Sequence, residues 1–403
     1  MANTYMHGVS AQIGDSIASP TVSPSTVPVY IGTATKADTA IPTNEPLKIT
    51  SLKTAEDQIG YSDDWKNNTL HQAVYAHFLN TKGSVSPIYV IVMEEATKEA
   101  YKSALDAIEK VYPKFIAVPN LVCPTAVFDS ENKCLLDKEI VDYAVSKVQK
   151  INAHWDAFVY ASFVTGATTL DAAITDKKDT LKNPNSERVK SFFPFGRASN
   201  GKAIELAVMA MAEQMRVDYD HNSIPMETCS NKTIPIVDTV LCEFSDSPTS
   251  IFIDPVRANE LNEVGLTTAY QWEGDFIIWG NHTSAYQYGK DNDPRCIFDV
   301  NIRMLLYFTN RFQKQWAKSI DKPMTRGLKD TIVASENAHI DGLKSLGAVL
   351  YGECTFEEES NPTSDMVNGI FKFDAQVTNT PPAAALDFTI AYTDKGIATY
   401  FEE

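Results

Sequence analysis

The run Ile370-Phe-Lys-Phe-Asp-Ala-Gln-Val377, then Thr378-Asn-Thr-Pro-Pro382, then Leu386-Asp-Phe-Thr-Ile-Ala-Tyr392 decides how this chain is read. Phe371, Phe373, Ala375 and Val377 alternate with Lys372, Asp374 and Gln376, and Leu386, Phe388, Ile390 and Tyr392 alternate in the same way. A period of two predicts strands with one buried face. Pro381 and Pro382 make the link too stiff for a tight hairpin turn. An isolated strand pair is marginal in water and leaves two edges open to any backbone that can pair with them. The chain offers such backbone at both ends. Tyr5–Ile13 alternates His7, Val9, Ala11 and Ile13 with Gly8, Ser10 and Gln12, and Ile397–Phe401 is a short apolar tail. These ends pair either at home or with neighbours.

Working back from there, the 403 residues allow two domains. Residues 1–28 read as an arm and a Pro-rich linker, with Pro20, Pro24 and Pro28. From Val29 to about Ser250, short apolar strands alternate with amphipathic helices. The predicted strands include Val29–Ala34, Ile88–Met93, Phe115–Val118, Ala157–Val164 and Val189–Phe195. The predicted helices include Asn68–Lys82, Thr97–Tyr112, Asp137–Ala153 and Lys202–Val217. That order predicts a doubly wound, mostly parallel α/β domain. Residues 251–403 predict an α+β domain: long helices Arg295–Ser319 and Thr325–Leu346, an extended Ala348–Phe356 and the terminal strand pair.

Composition narrows the class. Apolar residues make up 44% and charged residues 22%, the values of a folded globular chain. The net charge of −17 disfavours nonspecific nucleic-acid binding. No secretory signal and no membrane-length apolar run is read in the sequence. The six cysteines are scattered without a CxxC, which predicts reduced thiols rather than a disulfide frame or a zinc site.

Gly196-Arg-Ala-Ser-Asn-Gly201-Lys202-Ala203, between a predicted strand and helix, has the spacing of a phosphate-cradling P-loop. Ala203 replaces the hydroxyl residue that magnesium requires, so a nucleotide-binding enzyme is the weaker alternative. Gly14-Asp15-Ser16 precedes a linker rather than ending a strand, and His71 and His77 are not at metal-ligand spacing. Neither supports catalysis or metal binding. A charge reversal does stand out. Arg303, Arg311, Lys314, Lys318, Lys322, Arg326 and Lys329 face only Asp321 and Asp330 between residues 302 and 330. Arg311, Lys314 and Lys318 share one helical stripe, a surface suited to an acidic partner.

Taken together, the chain resembles the contractile tail sheath proteins of simple contractile-tailed phages and R-type pyocin-like particles. The likeness rests on Tyr5-Met-His7-Gly8-Val9, Asn44-Glu-Pro46-Leu-Lys-Ile49-Thr50, Leu261-Asn-Glu-Val-Gly-Leu-Thr267, Phe276-Ile-Ile-Trp-Gly-Asn-His282-Thr283, Ile320-Asp-Lys-Pro323 and Phe356-Glu-Glu-Glu-Ser-Asn361. The family more usually carries Arg where this chain has His282. The resemblance implies a structural subunit, without cofactor, metal, nucleic acid or membrane. It would form stacked hexameric rings around an inner tube protein, joined to baseplate and tail terminator proteins and assembled in a bacterial cytoplasm. It implies an outer α/β domain and an inner α+β domain. Exchange arms would carry Tyr5, His7, Val9 and Ile13 at one end and Ile397, Tyr400 and Phe401 at the other. Acceptor strands would carry Phe371, Phe373, Phe388 and Ile390. Arg311, Lys314, Lys318, Lys322, Arg326 and Lys329 would face the tube, and contraction would need no ATP.

Overall fold

The computed structural model describes residues 26–36, 40–79, 87–179, 186–245, 247–398 and 400. The N-terminal positions Tyr5, His7, Val9 and Ile13, and Phe401, lie outside the described residues.

In chain order the strands and main helices are β1 (Pro28–Gly32), β2 (Pro46–Ile49), α1 (His71–Val74, continued by a π-helical turn Tyr75–Leu79), β3 (Ile88–Val92), α2 (Lys98–Asp106) and β4 (Leu121–Pro124). There follow α3 (Lys138–Val148), β5 (Phe158–Ser162), β6 (Val189–Phe192), β7 (Phe195–Ala198), β8 (Ala203–Glu205) and α4 (Leu206–Asp220). Next come β9 (Thr233–Ile234), β10 (Ile236–Val240), α5 (Pro255–Asn262), β11 (Leu266–Trp272) and β12 (Asp275–Trp279). The chain then runs through α6 (Asp299–Trp316), α7 (Arg326–Ser345), β13 (Val349–Thr355) and β14 (Asp374–Asn379).

Nine strands form one sheet in the order β2-β3-β1-β4-β5-β6-β11-β12-β9. Its centre, from β3 to β11, is parallel. The parallel strands β1, β3, β4, β5 and β6 are buried at every position, which is why they read as apolar runs without alternation. Successive residues still go to opposite faces. Tyr30, Val90, Phe158 and Tyr160 pack with the α1 and α4 side, while Val29, Ile31, Val122 and Val159 pack with α2 and α3. The fold is therefore mixed α/β, built on a large, mostly parallel sheet with helices on both faces. The sheet does not stop at residue 250: β11 joins β6 in parallel, and the β11–β12 hairpin extends it.

Several expectations need correction. Phe115 ends a helical turn, Ile116 is left-handed (φ 52°), and the strand forms at Leu121–Pro124 instead of 115–118. The apolar run there is cut by Pro119, which has no N–H for a ladder. Pro194 likewise splits the expected Val189–Phe195 strand, leaving β6 in the large sheet and β7 in a separate three-stranded sheet, β10-β7-β8. The helix expected from Lys202 starts at Leu206, because Ala203–Glu205 pairs with β7.

The C-terminal strand pair is the largest correction. β14 pairs antiparallel with β13, from Thr355↔Asp374 to Val349↔Asn379, and not with Leu386–Tyr392. The buried Asn361 closes the connection: it accepts from the Lys372 amide (2.7 Å) and donates to the Glu357 (2.8 Å) and Lys372 (3.0 Å) carbonyls. Phe371 and Phe373 therefore precede the strand rather than lie in it, and Phe373 packs against Phe312 and Phe356. Phe388 and Ile390 lie in no strand. Ile397, expected in an extended tail, is on a helical turn, Lys395–Ala398.

Candidate assembly surface

Open α/β sheets bind ligands where the strand order reverses, outside the carboxyl ends of the strands. In this chain the reversal lies at β1, with β3 on one side and β4 on the other. That crevice is filled by the protein itself. Thr69 Oγ1 lies 2.7 Å from Thr125 Oγ1, and the Thr125 hydroxyl donates to the Ile31 carbonyl (2.8 Å). Beside them the fully buried Glu205 carboxylate accepts from the Ala126 amide (2.9 Å), the Ser162 hydroxyl (2.7 Å) and the Gln72 amide (3.2 Å). Burial outweighs these three donors and pushes Glu205 up to about 7. Its folded value exceeds its unfolded one, so the stabilising protonated form is complete below about pH 4.5 and is lost as pH rises to about 7. Glu205→Gln can keep the same three contacts without the charge. Relative to wild type it is expected to gain roughly 3 kcal/mol between pH 4.5 and 7.5. Parallel pH–denaturation curves for the two proteins would remove Glu205 as the cause.

The P-loop alternative is also overturned by geometry. Residues 196–203 are an antiparallel hairpin, with Gly196↔Ile204 and Arg197↔Ala203 paired. The loop closes on itself: the Ala198 amide donates to the Lys202 carbonyl (2.9 Å), and the Lys202 amide to Asn200 Oδ1 (3.1 Å). The buried Glu205 carboxyl stands before the helix where a phosphate would have to sit.

The exposed apolar surface lies elsewhere. Leu386, Phe388, Ile390 and Tyr392 are 89%, 85%, 81% and 86% exposed. The described residues from 383 to 397 are all exposed, so this segment buries neither face of its alternation. Nearby, β13 and β14 form an isolated two-stranded ladder. Helix α7 presses on it at Gly352, where a Cβ would come within 2.9 Å of Ile340 and 3.0 Å of Val377. The outer edge of β13 is occupied at Cys354. Asn337 of α7 accepts from the Cys354 amide (2.9 Å) and donates to its carbonyl (2.8 Å), as a neighbouring strand would. Cys354 and its partner Ala375 therefore exchange no ladder bonds. By that alternation the amides of Ala375 and Val377 point away from β13, and the β14 edge is the open one.

The basic stripe divides. Arg311 pairs with the nearly buried Glu336 at 2.5 Å, and Trp316 Nε1 donates to the same carboxylate (2.7 Å), so Arg311 serves the contact between α6 and α7. Lys329 contacts Asp330 (2.9 Å) and lies over the Phe356 ring. Arg326 is exposed, 3.9 Å from Asp330. Lys314, Lys318 and Lys322 are exposed, with no ion pair among the described residues, around an exposed Ile320 at the end of α6.

What the sequence did not reveal is how α6 is anchored. Lys190 of β6 pairs with Asp299 at 2.5 Å, and both side chains are wholly buried. Arg303, one turn on, pairs with Asp218 of α4, also buried. A lysine in the buried strand Val-Lys-Ser-Phe was the available signal, since such a group demands a counter-charge. His282 stacks on Tyr286 (3.6 Å) and beside Phe298 (5.4 Å), and burial holds its ring below the usual histidine range. The stretches 261–267 and 276–283 meet here: a side chain at Gly280 (φ 138°) would collide with Asn262 and Thr267.

The crevice at the sheet reversal is filled, whereas the exposed apolar segment and the β14 edge are open to contact with another chain. The comparisons agree. No protein-family model matches. The chain is 24% identical, over 427 aligned positions, to the tail sheath protein of Escherichia phage P2, covering 98% of this chain and 97% of that one. It is 28% identical over 229 residues to the tail sheath protein of Burkholderia phage BcepMu, covering 54% of this chain and 45% of that one. Its fold matches the sheath of the extracellular contractile injection system PVC in the contracted state, with TM-score 0.68 at 13% identity over 98% of this chain and 99% of that one. Over nearly its whole length the chain is similar to contractile tail sheath proteins, relatives that are named as structural components of phage tails.

Proposed function

We propose that this subunit polymerises as stacked hexameric rings around an inner tube, and that the sheath shortens to drive the tube through a target cell envelope. The sheath belongs to a phage tail or tail-like particle. The observation that carries this reading is the exposed Leu386–Tyr392 alternation beside the open β14 edge. Leu386–Tyr392 of one copy pairs with β14 of the next, a strand added across subunits. The N-terminal segment with Tyr5, His7, Val9 and Ile13 adds a second such link. Donor and acceptor are different surfaces, so the contact is heterologous and builds a filament. The part built on the large sheet, which runs on through β12, lies outside, and the part with α6, α7, β13 and β14 lies inside. Contraction releases a kinetically trapped state on a signal from the baseplate and consumes no ATP. The exposed charges Lys314, Lys318, Lys322 and Arg326 face the tube protein, while Arg311 and Lys329 support that face through their own contacts.

Charge complementarity at exposed sites is screened by salt. The triple variant Lys314→Glu, Lys318→Glu, Lys322→Glu is expected to lose co-assembly with the tube protein by tenfold or more at about 20 mM salt, and less near 500 mM. Pelleting assays and negative-stain microscopy would read this. Unchanged co-assembly at every ionic strength would rule out this face as the docking surface.

A further inference from the structure

The first described residue of the chain is fastened to the anchor of α6. Thr26 and Val27 are 6% and 4% exposed, although they lie within the stretch read as a Pro-rich linker. The Thr26 hydroxyl donates to Asp218 Oδ2 (2.9 Å), the same oxygen that Arg303 of α6 engages. Asp218 Oδ1 accepts from Gln214 Nε2 (2.8 Å), so the carboxylate is held from both sides. The Val27 amide donates to Asn120 Oδ1 (2.7 Å), and the Asn120 amide to the Val27 carbonyl (3.2 Å), which pins the adjacent backbone to the start of β4. One turn before Arg303, Asp299 is locked to Lys190 and Thr228.

We infer that Asp218 is a clamp joining the root of the N-terminal segment to helix α6, so that a pull on that segment reaches the basic end of α6 through Asp218 and Arg303. The function of this clamp rests on the sheath reading above; its geometry does not. Residues 1–25 and α6 bear the two proposed outside links, to a neighbouring copy and to the tube. A charge-assisted hydrogen bond between their bases fixes the direction in which one moves when the other is loaded. Interior polar contacts of this kind have few alternative arrangements, because an unpaired donor or acceptor there is costly. Thr26 and Asp218 are therefore positioning residues.

The test compares the full chain, unassembled, as wild type, Thr26→Val and Thr26→Ser. Valine keeps the shape and removes the donor, whereas serine retains the hydroxyl. Hydrogen exchange by mass spectrometry is read over β1 and over the first two turns of α6. Thr26→Val is expected to exchange about tenfold faster in both places, the ratio for loss of one hydrogen bond to a charged group, with Thr26→Ser close to wild type. If β1 loosens while α6 stays unchanged, the root is attached but not coupled, and the inference is overturned. Failure of serine to restore protection overturns it equally. Electron microscopy of the same three proteins separates the two readings. Tubes that are abundant in wild type and irregular or scarce only in Thr26→Val support the clamp's role. Coupled exchange in a wild type that never forms tubes would uphold the clamp and remove the sheath reading.

Discussion

Asp299→Ala is expected to destabilise the folded chain by about 3–5 kcal/mol, the cost of leaving a buried charge without its partner. The ammonium of Lys190 is wholly buried and holds two contacts, Asp299 at 2.5 Å and Thr228 at 3.1 Å. Alanine removes the counter-charge and, among the described residues, leaves the cation facing one hydroxyl. Asp299 also accepts from the Val300 amide (2.8 Å) in the first turn of α6, where a negative charge favours the helix. A fall in melting temperature of roughly 4–6 °C follows for a chain of this size. Adding Lys190→Met should recover most of the loss, because a neutral side chain of similar length no longer needs a partner. Differential scanning calorimetry of the single and double variants is the measurement. A single variant within about 0.5 kcal/mol of wild type would mean that the pair contributes no net stability.

Truncation after Thr380 is expected to do the reverse. The removed segment is exposed throughout its described part beyond Pro382, so the melting transition should stay within about 0.5 kcal/mol of wild type. Tube formation should disappear, because Leu386, Phe388, Ile390 and Tyr392 no longer reach a neighbour. The paired substitution Phe388→Lys, Ile390→Lys tests the same surface without shortening the chain and should give the same phenotype. Regular tubes from either protein, seen in negative stain at normal abundance, would show that this segment is not the donor strand.

The parallel core was readable because its strands are buried on both faces and so appear as unbroken apolar runs, Val29–Ile31 and Ile88–Val92 among them. Residue pattern also read 370–377 and 386–392 as strands; Asp374–Asn379 forms one, whereas 386–392 does not. It could not name the partner. Alternation records which face a strand would bury, whereas pairing depends on which backbone the rest of the fold brings alongside. For β14 that backbone was β13, held by Asn361 and Asn337, two side chains with no periodic signature. Proline was the missed local signal at Pro119 and Pro194. The basic stripe was legible as charge, but its division was not: Arg311 meets Glu336 only once α6 and α7 are packed. The junction pairs were equally hidden, since Lys190 and Asp299 are 109 positions apart.

Asn337 has one more effect. By standing in for a strand at Cys354, it blocks the β13 side of the small ladder there, and among the described residues the exposed stretch 386–392 suits the other side. On the proposed pairing, each molecule gives once and receives once through this joint. Units joined through that contact alone line up head to tail in one direction, so the polarity of such a line follows from the side that Asn337 leaves open.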